Sequence, residues 1–239
     1  MAPDPGPDPE GAPLLVACAL GIERLALRAG GRAAPYGSVT VLRTGMGPRA
    51  AERAVGRALA EPRTAGAAVV ATGFCAGLLP GMDPGDLVVA TEARDPRGTV
   101  ACAGTAELTA ALARAVPGRT VHTGLLTGSD HVVRGAERAQ LRATGAVAVD
   151  MESAATLWTA VHTVPGPGAG TGPPPAGPPR PPYPGGPRPV AAVRVIVDAP
   201  EHELVRIGTV RGGISAFRVL RAVLPAFHDW HRSLLLPRR

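Results

Sequence analysis

The sequence contains no lysine: all 25 of its Lys+Arg positions are arginine, set against 19 acidic residues for a formal net charge of +6. A basic balance suits nucleic acid or an anionic membrane surface. Here the arginines are scattered, and Phe, Trp and Tyr together supply only 3% of the chain. That leaves no platform for stacking bases, so a nucleic-acid partner is not expected. Genome composition alone produces an Arg-for-Lys, Ala-rich bias of this kind. Cysteine is also scarce. Cys18, Cys75 and Cys102 are odd in number and far apart, which excludes a disulfide framework and a zinc site and suits a reducing compartment. No apolar run approaches the roughly 18 residues of a membrane span. The opening "MAPDPGPDPEGAP" has neither the basic start nor the apolar stretch of a secretory signal. Cytoplasm is the expected location.

What is present is a chain of 239 residues, 45% hydrophobic, long enough for one α/β domain with its own core. With so few aromatics, that core must be built from Ala, Val and Leu. Apolar strand patterns recur at "PLLVACAL", "GSVTVLRTGMG", "AGAAVVATGF", "GDLVVATEAR", "RTVHTGLLTGS", "AVAVD" and "VAAVRVIVD". Helical patterns fall between them, the clearest being "PRAAERAVGRALAEP", with Pro48 in its first turn and Pro62 as its stop. A single long helix is expected around "ISAFRVLRAVLPAFHDWHRSLLL". This alternation predicts a single α/β domain: a mixed central sheet covered by helices on both faces, in three α/β/α layers. It spans residues 13–236 behind a disordered tail at 1–12. Between 165 and 189, Pro and Gly supply 19 of 25 positions, so a disordered loop is expected inside the domain.

Open α/β sheets bind ligands at the carboxyl ends of their strands. Glu23 follows the first strand, "TGMG" the second, "TGFCAGL" the third, Glu152 a later one, and Asp198 ends the strand "VRVIVD". Three acids on one rim are costly unless each has a task or a partner. Singly, each has an ordinary reading. Glu23 can be a helix-start acid, Asp198 a turn initiator, and "TGMGP" a tight connection lacking the Lys-Ser/Thr of a P-loop. Asp150 is placed to cap the helix that follows it. His228 and His231, three apart on the last helix with no acid cluster, read as surface or interface rather than metal ligands.

Together, "ALGIERLAL", "TGMGPRAA", "ATGFCAGLLPGMDPGDLVVATEAR", "LTGSDHVV", "VAVDMESAAT" and "VRVIVD" resemble, in order, the superfamily of purine nucleoside phosphorylases and methylthioadenosine/S-adenosylhomocysteine nucleosidases. Within it the chain looks most like the hopanoid-associated phosphorylases, which act on adenosylhopane. The resemblance implies cleavage of the N-glycosidic bond of a 5′-substituted adenosine, with no cofactor and no metal. It also implies a homo-oligomer, and peripheral membrane contact if the substrate is a lipid.

The resemblance assigns residue roles too. Asp198 matches the general acid that protonates N7 of the purine, for which its pKa should lie above the free value of about 3.9. Glu152 matches the acceptor of the ribose hydroxyls, with Met151 packed against the sugar, and Glu23 matches the acid that orients an attacking water. Gly73, Phe74, Cys75, His131 and Val132 fall in segments that line the substrate pocket. Ala71 and Phe74 stand where the hexameric phosphorylases carry an Arg and a Ser for phosphate, and "ALGIE" replaces their early phosphate loop. Hydrolysis is therefore expected over phosphorolysis, with Thr44, Gly45 and Arg49 left as a possible phosphate or water site. Val197 replaces a more usual Ser beside the acid. A phosphate-dependent phosphorylase and a non-catalytic nucleoside-binding protein are the alternatives.

Overall fold

The computed structural model describes residues 13–31, 39–163, 188–200 and 209–235. The tail at 1–12 and most of the Pro/Gly-rich segment lie outside these. The last two residues of that segment are tied to the amino end of β3 and the turn before it. Pro189 accepts from the amide of Val69, and Arg188 donates to the carbonyls of Ala65 and Ala67 at 2.7 Å each.

Among the described residues eight strands form one sheet: β1 (Leu14–Cys18), β2 (Val39–Arg43), β3 (Ala68–Gly77), β4 (Leu87–Asp95), β5 (Gly98–Ala101), β6 (Val121–Gly128), β7 (Ala146–Asp150) and β8 (Val190–Asp198). β2, β1, β3 and β8 run parallel to one another in that order, whereas β8 meets β4 antiparallel. β4, β6 and β7 continue in parallel, and β7 returns antiparallel to β3 through only Ala76↔Val149 and Gly77↔Ala148. The strands β3, β8, β4, β6 and β7 thus pair in a closed ring with two antiparallel seams. β3 and β7 touch at the carboxyl ends of both, which brings the loops after these strands to one place.

The two faces carry separate cores, as the expected three layers require. On one face α1 (Gly21–Gly31), α3 (Thr105–Ala115), α6 (Thr209–Ala222) and α7 (Leu224–Leu235) cover Leu14, Val16, Val70, Val89 and Val193. On the other, α2 (Pro48–Ala60) and α5 (Ser153–His162) cover Leu15, Val69, Val88, Ala192 and Ile196. Aliphatic side chains dominate both. The exceptions are Phe227 and Trp230 of α7, fully buried, with the Trp230 indole donating to the Ala103 carbonyl at 2.8 Å. A short helix, α4 (Ala136–Ala143), precedes β7.

Three local expectations change. The single C-terminal helix is two, α6 and α7, because Pro225 fits the first turn of a helix but not its interior. The strand β5 was not legible as one, being a four-residue return of the β4 hairpin. His231 is not a surface residue. It packs inside α7 at 5% exposure, and burial pushes its imidazole down to about 4.

Candidate active site

Residues from the β1–α1, β2–α2, β6–α4 and β7–α5 connections and from the ends of β3 and β8 surround a cavity of about 190 Å³. Its walls include Glu23, Glu152 and Asp198, together with Phe74, Cys75, Met151, His131 and Val132. Apart from the three acids, Asp150 and His131, the lining is apolar. The positions singled out in the sequence are therefore neighbours in space, although they span 175 residues from Glu23 to Asp198.

Glu23 sits in the first turn of α1 but serves more than its own helix. Its Oε2 accepts from the amides of Ala19 and Leu20 at 2.9 and 2.8 Å, and its Oε1 accepts from Phe74 N at 2.8 Å. It ties the β1–α1 turn to β3 and is 2% exposed. Gly73 makes this approach possible. A Cβ there would lie 2.5 Å from Glu23 Oε1 and 2.8 Å from Arg194 Nη1, and its φ of +130° disfavours any other residue. Gly73→Ala is expected to cost about 1–3 kcal/mol and to displace Glu23. A urea midpoint unchanged from the parent protein would show that the neighbours yield freely.

Glu152 lies just ahead of α5. Its Oε1 accepts from Gly47 N at 2.8 Å, while Oε2 is 4.0 Å from Arg194 Nη2. Burial pushes its carboxyl above the ordinary 4.5, aided by Asp150 and Glu23 and opposed by Arg194 and the Gly47 amide. Asp150 accepts from Ser153 N through both oxygens, 3.2 and 3.1 Å, which is the capping role expected of it. It also forms an ion pair with Arg194.

Two arginines organise these acids, and neither was singled out from the sequence. Arg194, 1% exposed in the middle of β8, pairs with Asp150 and donates to Ser153 Oγ at 2.8 Å and to the Thr72 carbonyl at 2.9 Å. A lone arginine inside the apolar run "VAAVRVIVD" was its signal, since such a charge is buried only with partners. Arg138 of α4 forms a buried ion pair with Asp198 Oδ2 and donates weakly to the Val133 carbonyl at 3.4 Å. The other oxygen, Asp198 Oδ1, is buried without a hydrogen-bond partner. Asp198 was expected as a carboxyl that burial at the strand end keeps protonated. The Arg138 guanidinium meets its Oδ2, and Oδ1 has no partner.

Other expected positions are distributed differently. His131 reaches the cavity wall, but Asp130 holds its Nδ1 at 2.7 Å and Glu137 its Nε2 at 3.0 Å. Both carboxylates push this imidazole upward in pKa. Thr44, Gly45 and Arg49 do not line the cavity. Thr44 Oγ1 lies 2.9 Å from the Gly45 carbonyl and 3.2 Å from that of Cys18. Arg49 lines a separate groove beside it with Glu52 and Arg97. Among the described residues no group of three His, Cys, Asp or Glu could hold a metal ion.

An α/β sheet with a small apolar cavity and three converging carboxylates at its strand ends defines a small-molecule site rather than a macromolecular interface. The chain belongs to the phosphorylase superfamily, whose family model matches residues 31–163. No curated protein matches it. Among solved structures it is similar to a putative methylthioadenosine nucleosidase from Weissella paramesenteroides, with 17% identity, a TM-score of 0.66, and coverage of 90% of this chain and 97% of that one. It is likewise similar to the 5′-methylthioadenosine/S-adenosylhomocysteine nucleosidase of Neisseria meningitidis bound to methylthio-immucillin-A, with 20% identity, a TM-score of 0.62, and coverage of 94% and 99%. The futalosine hydrolase of Helicobacter pylori follows with 13% identity, a TM-score of 0.64, and coverage of 92% and 98%. At these identities the likeness is one of fold.

Proposed function

We propose that the protein cleaves the N-glycosidic bond of a 5′-substituted adenine nucleoside, releasing adenine with water as nucleophile. The observation that carries this is the meeting of Glu23, Glu152 and Asp198 in one cavity, each tied to a different structural partner. Breaking a ribosidic C–N bond passes through a cationic, oxocarbenium-like sugar. Such a reaction needs a hold on the ribose, a nucleophile aimed at the anomeric carbon, and a group to receive the departing base.

Glu152 offers Oε2 to the vicinal ribose hydroxyls, and its charge favours the cationic transition state. Met151, on the same wall, packs against the sugar. Glu23, fixed by three backbone amides, keeps lone pairs for an attacking water and cannot swing away. Asp198 Oδ1 accepts from the exocyclic amine of adenine, which selects against a 6-oxo base. Delivery of a proton to N7 by the same carboxyl requires Arg138 to release Oδ2. Phe74, Cys75, His131 and Val132 supply the walls about the base and sugar.

Water is favoured over phosphate by where the donors go. The Gly47 amide serves Glu152, the Thr44 hydroxyl serves backbone carbonyls, and Arg49 lies in the neighbouring groove. The cavity is smaller than the roughly 300 Å³ of common ligand sites, so a bulky 5′ substituent projects past its rim. There it meets the exposed side chains of Met46 and Val132, an apolar exit that suits a hydrocarbon such as hopane. The resemblance to nucleosidases and phosphorylases carries with it a homo-oligomeric assembly.

The test is product analysis after incubating the full chain with 5′-substituted adenosines, with and without phosphate. Free adenine and free pentose in both cases are expected. A sugar 1-phosphate formed only with phosphate would replace hydrolysis by phosphorolysis, and binding without base release would make the protein a nucleoside-binding module.

A pH profile tests Glu152 separately. Its folded pKa is raised, so its protonated form persists above the ordinary 4.5 and its ionised, ribose-holding form appears only as pH rises further. The acid limb of kcat/KM should therefore lie above 4.5 and disappear in Glu152→Gln, with KM raised roughly tenfold or more. The sign for stability is opposite. The contribution of Glu152 is present below its unfolded value and lost as pH rises through its folded one. An acid limb unchanged in Glu152→Gln would assign it to another group.

A further inference from the structure

The least anchored parts around the candidate site are the β6–α4 loop and α4. The helix α5 buries six of its residues, whereas α4 buries only Arg138. That residue is charged, and its partner is Asp198. Eight residues are too few to hold a helix by themselves, so α4 stays in place through what it touches. Besides the ion pair there is Leu141, resting on a small cluster of Leu78, Leu125, Val133, Ala146 and Val149 apart from the two main cores. Just past the helix, Arg94 donates to Thr144 Oγ1 at 3.0 Å on the exposed surface.

The loop that leads into α4 carries His131, Val132 and Val133 of the cavity wall. Two contacts join loop and helix into one unit over residues 129–143. His131 Nε2 lies 3.0 Å from Glu137 Oε1, and Arg138 Nε donates to the Val133 carbonyl at 3.4 Å. Ser129 Oγ closes the loop on itself by donating to the His131 carbonyl at 2.8 Å.

Access to Asp198 needs a movable part. Its Oδ1 is the atom that the proposed reaction turns toward the base, yet that oxygen is buried without a hydrogen-bond partner, as is Arg138 Nη1 on the other side of the ion pair. No base reaches a buried oxygen until a wall gives way. A buried donor and acceptor left unpaired are costly, so the empty closed site gains when a ligand meets Oδ1. The other walls are held more firmly. Glu23 is fixed by three backbone amides, and β3, β7 and β8 are paired strands of the sheet.

We propose that residues 129–143 form a lid over the cavity and that the Arg138–Asp198 ion pair is its latch. Arg138 is then a positioning residue, acting through Asp198 and through the wall that it anchors. Parting the pair carries Val132 and Val133 away from the cavity. Both charges then meet water, so neither is stranded. The base enters and gives its amine to Oδ1, and closure returns Arg138 to Oδ2. One carboxylate thus holds the base with one oxygen and the lid with the other. The same parting frees Oδ2, which proton delivery to N7 also requires. The lid rests on the reading of Asp198 as the base-facing acid, but its motion is measured without turnover.

Hydrogen exchange of the full chain, read by mass spectrometry with adenine as the probe ligand, tests this. Without ligand, the amides of 129–143 should exchange at least roughly tenfold faster than those of β3 and β8. Saturating adenine should slow them and leave those of α7 unchanged. Arg138→Gln should speed exchange in 136–143 by roughly tenfold with β3 and β8 unchanged, which also reports that the variant is folded. Asp198→Asn should do the same, and the double variant should add little to either, as two groups forming one latch require. Additive effects of the two substitutions overturn the latch. So does exchange in 129–143 as slow as in β8, or exchange that Arg138→Gln speeds throughout the chain or nowhere. Adenine that binds without protecting 129–143 overturns the lid. Base release from a 5′-substituted adenosine with 129–143 unmoved removes the lid and leaves the proposed reaction standing. Loosening by Arg138→Gln in a protein that neither binds nor releases adenine removes the reaction and leaves the latch.

Discussion

Asp198→Asn should reduce adenine release by two to four orders of magnitude, the usual worth of a positioned acid or base group, while leaving the fold in place. The substitution keeps the shape of the side chain and removes its charge. An amide at this position still hydrogen-bonds but has no proton to transfer to a departing base. The same change leaves Arg138 facing a neutral group, and some loss of stability follows. The two effects separate by measurement: turnover of a 5′-substituted adenosine for the first, a denaturation midpoint for the second. Wild-type turnover in Asp198→Asn would remove Asp198 from the reaction altogether. Arg138→Gln then tells whether the arginine restrains the acid. If it must leave Oδ2 before a proton can reach N7, the variant changes the pH profile of kcat more than it changes KM.

The largest effect on stability is expected at Arg194. Its side chain is 1% exposed, and Asp150, Ser153 Oγ and the Thr72 carbonyl share its guanidinium. Replacing it by Leu strands a buried carboxylate. Breaking one side of a buried ion pair costs about 3–5 kcal/mol, which for a domain of this size lowers Tm by roughly 10 °C. Arg194→Lys should not rescue it, because Nε, Nη1 and Nη2 each meet a different acceptor across the guanidinium plane, a spread that the single nitrogen of an ammonium does not reach. Adding Asp150→Asn to Arg194→Leu should recover part of the loss, since the stranded charge is then gone. A melting temperature equal to the parent's in Arg194→Leu would show that Asp150 finds water or another donor. Activity should fall with stability here, because Arg194 also neighbours Glu152.

Most of the layered architecture could be read in advance because local signals agreed with tertiary needs. The strands are short, apolar and bounded by Gly or Pro, and α2 carries its own start and stop in Pro48 and Pro62. β5 escaped because a four-residue return, Gly-Thr-Val-Ala, is too short to show a periodicity of its own and exists only by pairing with β4. The break between α6 and α7 was legible in Pro225 but was outweighed by the helical pattern on both sides. At the site, the acids could be singled out because charge at a strand end is conspicuous. Their partners could not. Which arginine meets Asp198 depends on where α4 lies over β8, sixty residues away in the chain, and no local pattern in "GAERAQLRATG" encodes that. The same holds for Gly47, whose amide goes to Glu152 rather than to an incoming anion.

The closed ring of strands has a consequence for the order in which the molecule becomes competent. β8 pairs with β3 on one side and β4 on the other, and it is the last strand among the described residues. Glu23, Gly73 and Glu152 are synthesised well before it, but Asp198 and Arg194 both ride on it. Until β8 inserts, Asp150 lacks the Arg194 partner and the cavity lacks Asp198. A nascent chain that has emerged only as far as α5 therefore holds half a cavity and an uncompensated buried charge. Completing the sheet and arming the site are one event, and it waits on pairings between residues more than a hundred positions apart, the slow kind of contact to form.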